Sequence, residues 1–113
     1  MSINTEIARL SYEAYTDGDR GALERVIAPD FNFWSPQDEG IDRNTYFARC
    51  WPPHTEMRSF RFVRLADLAE DEVLITYELT KTDGSVFRNT EILTLRDGQI
   101  VLAEVYFGWD VNG

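Results

Sequence analysis

Histidine and cysteine are nearly missing from this sequence: one of each, His54 and Cys50, in 113 residues. A lone cysteine excludes an internal disulfide, and a reducing cytoplasm is the expected compartment. No His/Cys/carboxylate grouping has metal-ligand spacing, so no metal is expected. Basic residues are also scarce, 11 against 20 acidic, which leaves a net charge of −9. Such a chain repels phosphate backbones and anionic lipid, so nucleic acid and membrane surfaces are not expected partners. No run approaches the roughly 18 apolar residues that a membrane span needs. The opening MSINTEIARLSYEAY has neither a basic nor an apolar leader region, and no signal peptide is expected. A Gly-rich phosphate loop and a G-x-S-x-G elbow are absent too, and no cofactor is expected.

What is present is core material. The chain is 43% hydrophobic and 13% aromatic, enough for one ordered domain over residues 1–113. Ile3, Ile7, Leu10 and Ala14 recur at helical spacing, with Ser11 and Tyr15 on an adjoining stripe. Asp17-Gly18 stops this helix. Asp19 is an N-cap for a second helix through Leu23, Val26 and Ile27, which Pro29 ends. Residues 31–35 alternate as a short strand. A third helix starts near Asp42, carries Tyr46, Phe47 and Trp51, and closes at Pro52-Pro53.

From Met57 the period changes to two. Four strands are predicted over 57–68, 72–82, 86–96 and 99–109, and Asp83-Gly84 and Asp97-Gly98 supply hairpin turns. The expected fold is α+β, with three helices against a four-stranded antiparallel meander plus one short strand. Val101, Ala103, Val105, Phe107 and Trp109 form a charge-free strand face. Matching faces hold Val73, Ile75, Tyr77 and Leu79 on one strand, and Phe87, Asn89, Glu91, Leu93 and Leu95 on another. Glu91 is thereby an acid directed into an apolar interior, where lost hydration raises a carboxyl pKa. It is either a site residue or a structural carboxyl paired with Arg or Tyr.

Other residues have two readings as well. His54, after the third helix, is an acid–base group over a cavity mouth or a solvated loop residue. Tyr15 is a hydroxyl donor to a ligand carbonyl or a core tyrosine; Tyr12 lies on the same helix. Trp34, Trp51 and Trp109 wall a cavity or pack a core. Asp38, Glu39 and Asp42 are expected as a solvated loop and a helix cap. Arg58, Arg61 and Arg64 do not share one strand face and make no anion clamp.

The stretch YEAYTDGDRGALERVIAPDFNFWSP, with its Gly-Asp helix stop and Ala-Pro-Asp entry to a strand, resembles the opening of SnoaL-like domains of the nuclear transport factor 2-like superfamily. ILTLRDGQIVLAEVYFGWD is similar to their closing hairpin. The resemblance implies a cone-shaped α+β barrel around one deep apolar pocket, and homodimers through the outer sheet face. Ketosteroid isomerase, a relative, uses a helix-one Tyr, an Asp before the first strand, and a protonated Asp on the penultimate strand. Those positions fall on Ser11, Ser35 and Glu91, so only the last keeps its acid. The water-activating acid of the superfamily's epoxide hydrolases falls on Val105. Scytalone dehydratase-like chemistry wants pocket histidines, and only His54 is on offer.

Two functions follow as expectations. One is a cofactor-free isomerase, cyclase or dehydratase acting on a small hydrophobic carbonyl compound by proton transfer. Its catalytic residues would be Glu91, Tyr15 and His54, with Asp110 as another possible acid–base group. Its ligand-binding residues would come from the first half (Ser11, Phe31, Phe33, Ser35 and Trp51) and from the sheet (Tyr77, Asn89, Val105, Phe107 and Trp109). The other is a non-catalytic binder of an apolar molecule or a dimeric accessory module. A transport-adaptor role ranks third, since no peptide-binding face is marked.

Overall fold

Capping chemistry sets the helices in a computed structural model that describes residues 2–111. The Ser2 side chain accepts the Thr5 N–H to open α1, Ile3–Asp17, and Gly18 closes it at φ 74°. Asp19 caps α2, Arg20–Val26, through the Ala22 N–H, and Asp42 caps α3, Arg43–Cys50, through Thr45. A 3-10 turn, Pro52–Glu56, follows α3. No helix among the described residues is long and apolar enough to cross a membrane.

Six strands make one sheet: β1 Ile27–Ser35, β2 Asp38–Asp42, β3 Met57–Ala69, β4 Glu72–Lys81, β5 Val86–Arg96 and β6 Gln99–Asp110. Their order is β2-β1-β6-β5-β4-β3. The meander is antiparallel as expected, and the β5–β6 turn has Asp97 and Gly98 both at positive φ, 52° and 79°. The sheet as a whole is mixed, because β1 runs parallel to β6. It is curved and unclosed, and with the three helices it is the α+β cone fold.

Four local expectations change. The second helix stops at Val26, and Pro29 lies within β1 rather than ending a helix. The β1–β6 register slips between Ile27 and Asn32, and exposed Pro29 falls in that slip, where a missing N–H costs little. Asp38–Asp42 is a strand paired with β1, not a solvated loop, and Asp38 is buried. On α1 the buried residues are Thr5, Ala8, Ser11, Tyr12 and, from the expected stripe, Ala14; Ile3 and Leu10 are exposed. Small Ala8 and Ser11 leave room for the Tyr12 ring, which meets Phe60 edge-on at 4.8 Å and also Phe62 and Tyr77. Such ring pairs add about 0.5–1.5 kcal/mol each beyond area burial.

The fourth change is on β6. Val73, Ile75, Tyr77 and Leu79 of β4 do face inward, as do Asn89, Leu93 and Leu95 of β5. Opposite Thr94 and Leu95 the β6 register shifts, so Ile100 and Ala103 are buried while Val101 is only half-buried. A second shift sets Gly108 and Trp109 against Arg88 alone. A side chain at position 108 would lie inside van der Waals contact with the Arg88 carbonyl oxygen, so glycine is required there. This bulge turns Trp109 away from the cone and under the Arg88 guanidinium, 5.3 Å from the ring centroid.

Candidate functional site

Sheet curvature and the three helices leave a cavity of about 250 Å³ inside the cone. Phe31, Phe33 and Ser35 of β1 border it, as do Tyr77 of β4, Asn89 and Glu91 of β5, and Val105 and Phe107 of β6. Helix α1 contributes Ser11, Tyr12 and Tyr15, and α3 contributes Tyr46 and Cys50. Four expected site residues lie elsewhere. Trp51 and His54 are not in the lining; their rings pack on each other at 4.2 Å, and His54 also sits against Gly18. Trp109 is 63% exposed on the far side of the Gly108 bulge. Asp110 is exposed at the end of β6, also outside the lining.

Glu91 stands opposite Val105 and Ile75, flanked by apolar strand neighbours. The cavity reaches it, so it keeps some exposure, but protein surrounds its carboxyl. Burial raises its pKa from 4.5 to about 7, opposed by the hydrogen bond from Tyr77 and by the nearby Tyr12 hydroxyl. The Tyr77 hydroxyl donates to Glu91 Oε2 at 3.0 Å. Tyr77 accepts in turn from Asn89 Nδ2 at 3.2 Å, and Asn89 Oδ1 accepts the Gly108 N–H at 3.1 Å. Burial, first, and the Glu91 charge, second, push the Tyr12 and Tyr77 phenols above the ordinary tyrosine range.

The other two α1 hydroxyls of the lining are spoken for. Ser11 Oγ donates to the Ala8 carbonyl at 2.7 Å, and the Tyr15 hydroxyl donates to the Cys50 carbonyl at 2.7 Å. Burial raises the Cys50 thiol to about 11, so it is neutral at pH 7. Tyr12 differs. Its hydroxyl is buried without a hydrogen bond of standard geometry among the described residues, although it lies near enough to Glu91 to help hold the ionised carboxyl. Residue 12 rather than 11 or 15 therefore offers the uncommitted helix-one hydroxyl.

A second carboxyl borders the cavity at Asp38. Ser35 Oγ donates to Asp38 Oδ2 at 2.8 Å and accepts the Gln37 N–H at 3.0 Å. Arg49 Nη1 lies 2.9 Å from Asp38 Oδ1 as an ion pair, outside hydrogen-bond alignment. Sequence reasoning missed Asp38 because Asp-Glu-Gly-Ile-Asp has no strand-like alternation and follows Pro36-Gln37. Tyr12 and Tyr46 carried one signal: they are large aromatics on helices that must cover a sheet.

Comparison with solved structures shows the same fold. A Kribbella flavida DSM 17836 protein superposes with a TM-score of 0.82 at 18% identity, covering 91% of this chain and 84% of its own. A candidate ketosteroid isomerase from the same organism superposes at 0.78 and 18% identity, covering 95% of this chain and 78% of its own. An LEH-like epoxide hydrolase of M. tuberculosis superposes at 0.78 and 15% identity, covering 94% and 79%. Identities this low carry the fold alone. No curated protein sequence matches the chain. The SnoaL-like domain family model matches residues 8–103, and the chain belongs to that family.

Proposed function

We propose that the protein is a cofactor-independent acid–base catalyst, an isomerase, cyclase or dehydratase, acting on a small hydrophobic carbonyl compound held in the cone. The observation that carries this reading is Glu91: a carboxyl on the cavity wall whose pKa is raised by burial to about 7. A general acid or base works best when its pKa lies near the operating pH. Glu91 moves the proton, and the unpartnered Tyr12 hydroxyl donates to the developing oxyanion of the substrate. Asp38, already ion-paired, is a second carboxylate for a substrate that spans the cavity. Tyr15 shapes the wall, since its hydrogen is committed to the Cys50 carbonyl.

Size narrows the substrate. An apolar cavity of about 150 Å³ holds benzene. At the same filling, 250 Å³ encloses about ten non-hydrogen atoms, one ring with a short substituent or two fused rings. Aromatic walls from Phe31, Phe33, Tyr46 and Phe60 suit such a flat, apolar body.

The test is a thermal-shift screen of one- and two-ring ketones and enones, with turnover assays on every compound that raises the melting temperature. Stabilising compounds that the protein isomerises, cyclises or dehydrates, with turnover lost in Glu91→Gln, support the reading. Compounds bound tightly and returned unchanged favour the second reading, a non-catalytic binder. The internally satisfied Tyr15 and Ser11 hydroxyls agree with that alternative.

A further inference from the structure

The Gly108 bulge lies on the neighbouring strand from Glu91, yet the two are joined by three hydrogen bonds of fixed direction. The bulge is the starting point, because a backbone N–H can only donate. Gly108 N–H therefore demands the oxygen of Asn89, at 3.1 Å. A flipped amide would set two donors face to face. With Oδ1 assigned, Asn89 Nδ2 must point to the Tyr77 oxygen, 3.2 Å away. Tyr77 then accepts from Asn89, and its single hydrogen goes to Glu91 Oε2 at 3.0 Å.

We infer that Asn89 is a positioning residue for Glu91: through Tyr77 it directs a hydrogen onto Oε2, so the neutral carboxyl carries its own proton on Oε1. Oε2 is occupied as an acceptor from Tyr77, which leaves Oε1 to carry the proton. The proton is thus offered from one oxygen in one orientation, the condition for efficient transfer to a bound molecule. The inference rests on Glu91 being the acid–base group of the proposed function. It adds a use for Asn89 other than ligand contact, and it explains why a bulge requiring glycine lies beside the site.

Groups facing Glu91 from the packed elements are Tyr12 and Tyr15 of α1, Tyr46 and Cys50 of α3, and Tyr77 of β4. All titrate well above neutrality, chiefly because of burial, so none changes charge while Glu91 does. A tyrosine that accepts from an amide is a stronger donor to the next group. Loss of Asn89 therefore weakens the hold on the Glu91 carboxylate, and its midpoint rises.

The experiment is a carboxyl-carbon NMR titration of Glu91 in four proteins: the parent, Tyr77→Phe, Asn89→Leu and the double variant. Tyr77→Phe is expected to raise the midpoint by about one unit, the loss of one charge-assisted hydrogen bond. Asn89→Leu raises it by roughly a few tenths, the share carried by cooperativity, and adds nothing in the Tyr77→Phe background. Where the leucine variant does not fold, Asn89→Ser, smaller and still polar beside Gly108, takes its place in the cycle. An equal shift in both backgrounds overturns the inference, because Asn89 would then reach Glu91 by another route. No shift in either background overturns it as well. Neither result touches the proposed function, which turnover by Glu91→Gln tests separately.

Discussion

Glu91 and Asp38 border one cavity, but their surroundings differ in kind. Asp38 meets the Arg49 guanidinium at 2.9 Å and the Ser35 hydroxyl at 2.8 Å. Among the described residues no cation pairs with Glu91; phenols face it, and one of them, Tyr77, is itself pinned by Asn89. Asp38 is held by a cation and a hydroxyl, whereas burial among phenols raises the Glu91 pKa toward neutrality. Environment assigns different tasks to two identical functional groups. In the proposed function Glu91 exchanges the proton, while Asp38 is held by its ion pair with Arg49.

The largest way to break this contrast is Glu91→Gln. It keeps shape and removes the proton, and turnover of any accepted substrate should fall about 10²- to 10⁴-fold, measured as kcat. The same variant changes stability in a direction set by linkage. The folded pKa, about 7, lies above the reference value of 4.5, so the folded state binds the proton more tightly. That stabilisation is fully present below about pH 4.5 and is lost as pH rises through about 7, roughly 3 kcal/mol across the window. Denaturant unfolding should show this slope in the parent and lose it in Glu91→Gln. Above pH 7 the variant should be the more stable protein.

Arg49→Met sharpens the comparison from the other end. It leaves Asp38 without its cation, and because Arg49 is half exposed the expected loss is about 1 kcal/mol in unfolding free energy. The Glu91 titration should not move. Ser35→Ala removes one hydrogen bond to Asp38 and should cost about 0.5–1 kcal/mol. The smallest effect is expected from His54→Gln: His54 packs on Trp51 outside the cavity lining, so kcat should stay within about twofold.

How much of this was legible in the sequence follows from the range of the interactions involved. Period-two patterning and the Asp97-Gly98 turn are local, and they placed the meander and set Glu91 on its inner face. The parallel pairing of β1 with β6 joins residues about 70 positions apart, and nothing in either segment announces it. Asp38 was hidden for the same reason: β2 is polar, short and defined only by its partner β1. Trp109 followed the alternation on paper, but one extra residue at Gly108 reverses the face of everything beyond it. On α1 two stripes were available, and tertiary fit chose the one with Ala8, Ser11 and Tyr12 over the more hydrophobic Ile3 and Leu10. Candidate chemistry was therefore readable where it sat on a regular strand and unreadable where a bulge or a distant pairing placed it.

The most direct measurement is the titration of Glu91 itself, by carboxyl-carbon NMR on the unmodified protein from pH 3 to pH 9. A midpoint at about 7 is the predicted result, the mark of a carboxyl kept from water by a phenolic cavity wall. A midpoint near 4.5, the ordinary glutamate value, would contradict the account and remove Glu91 as the proton-transfer group.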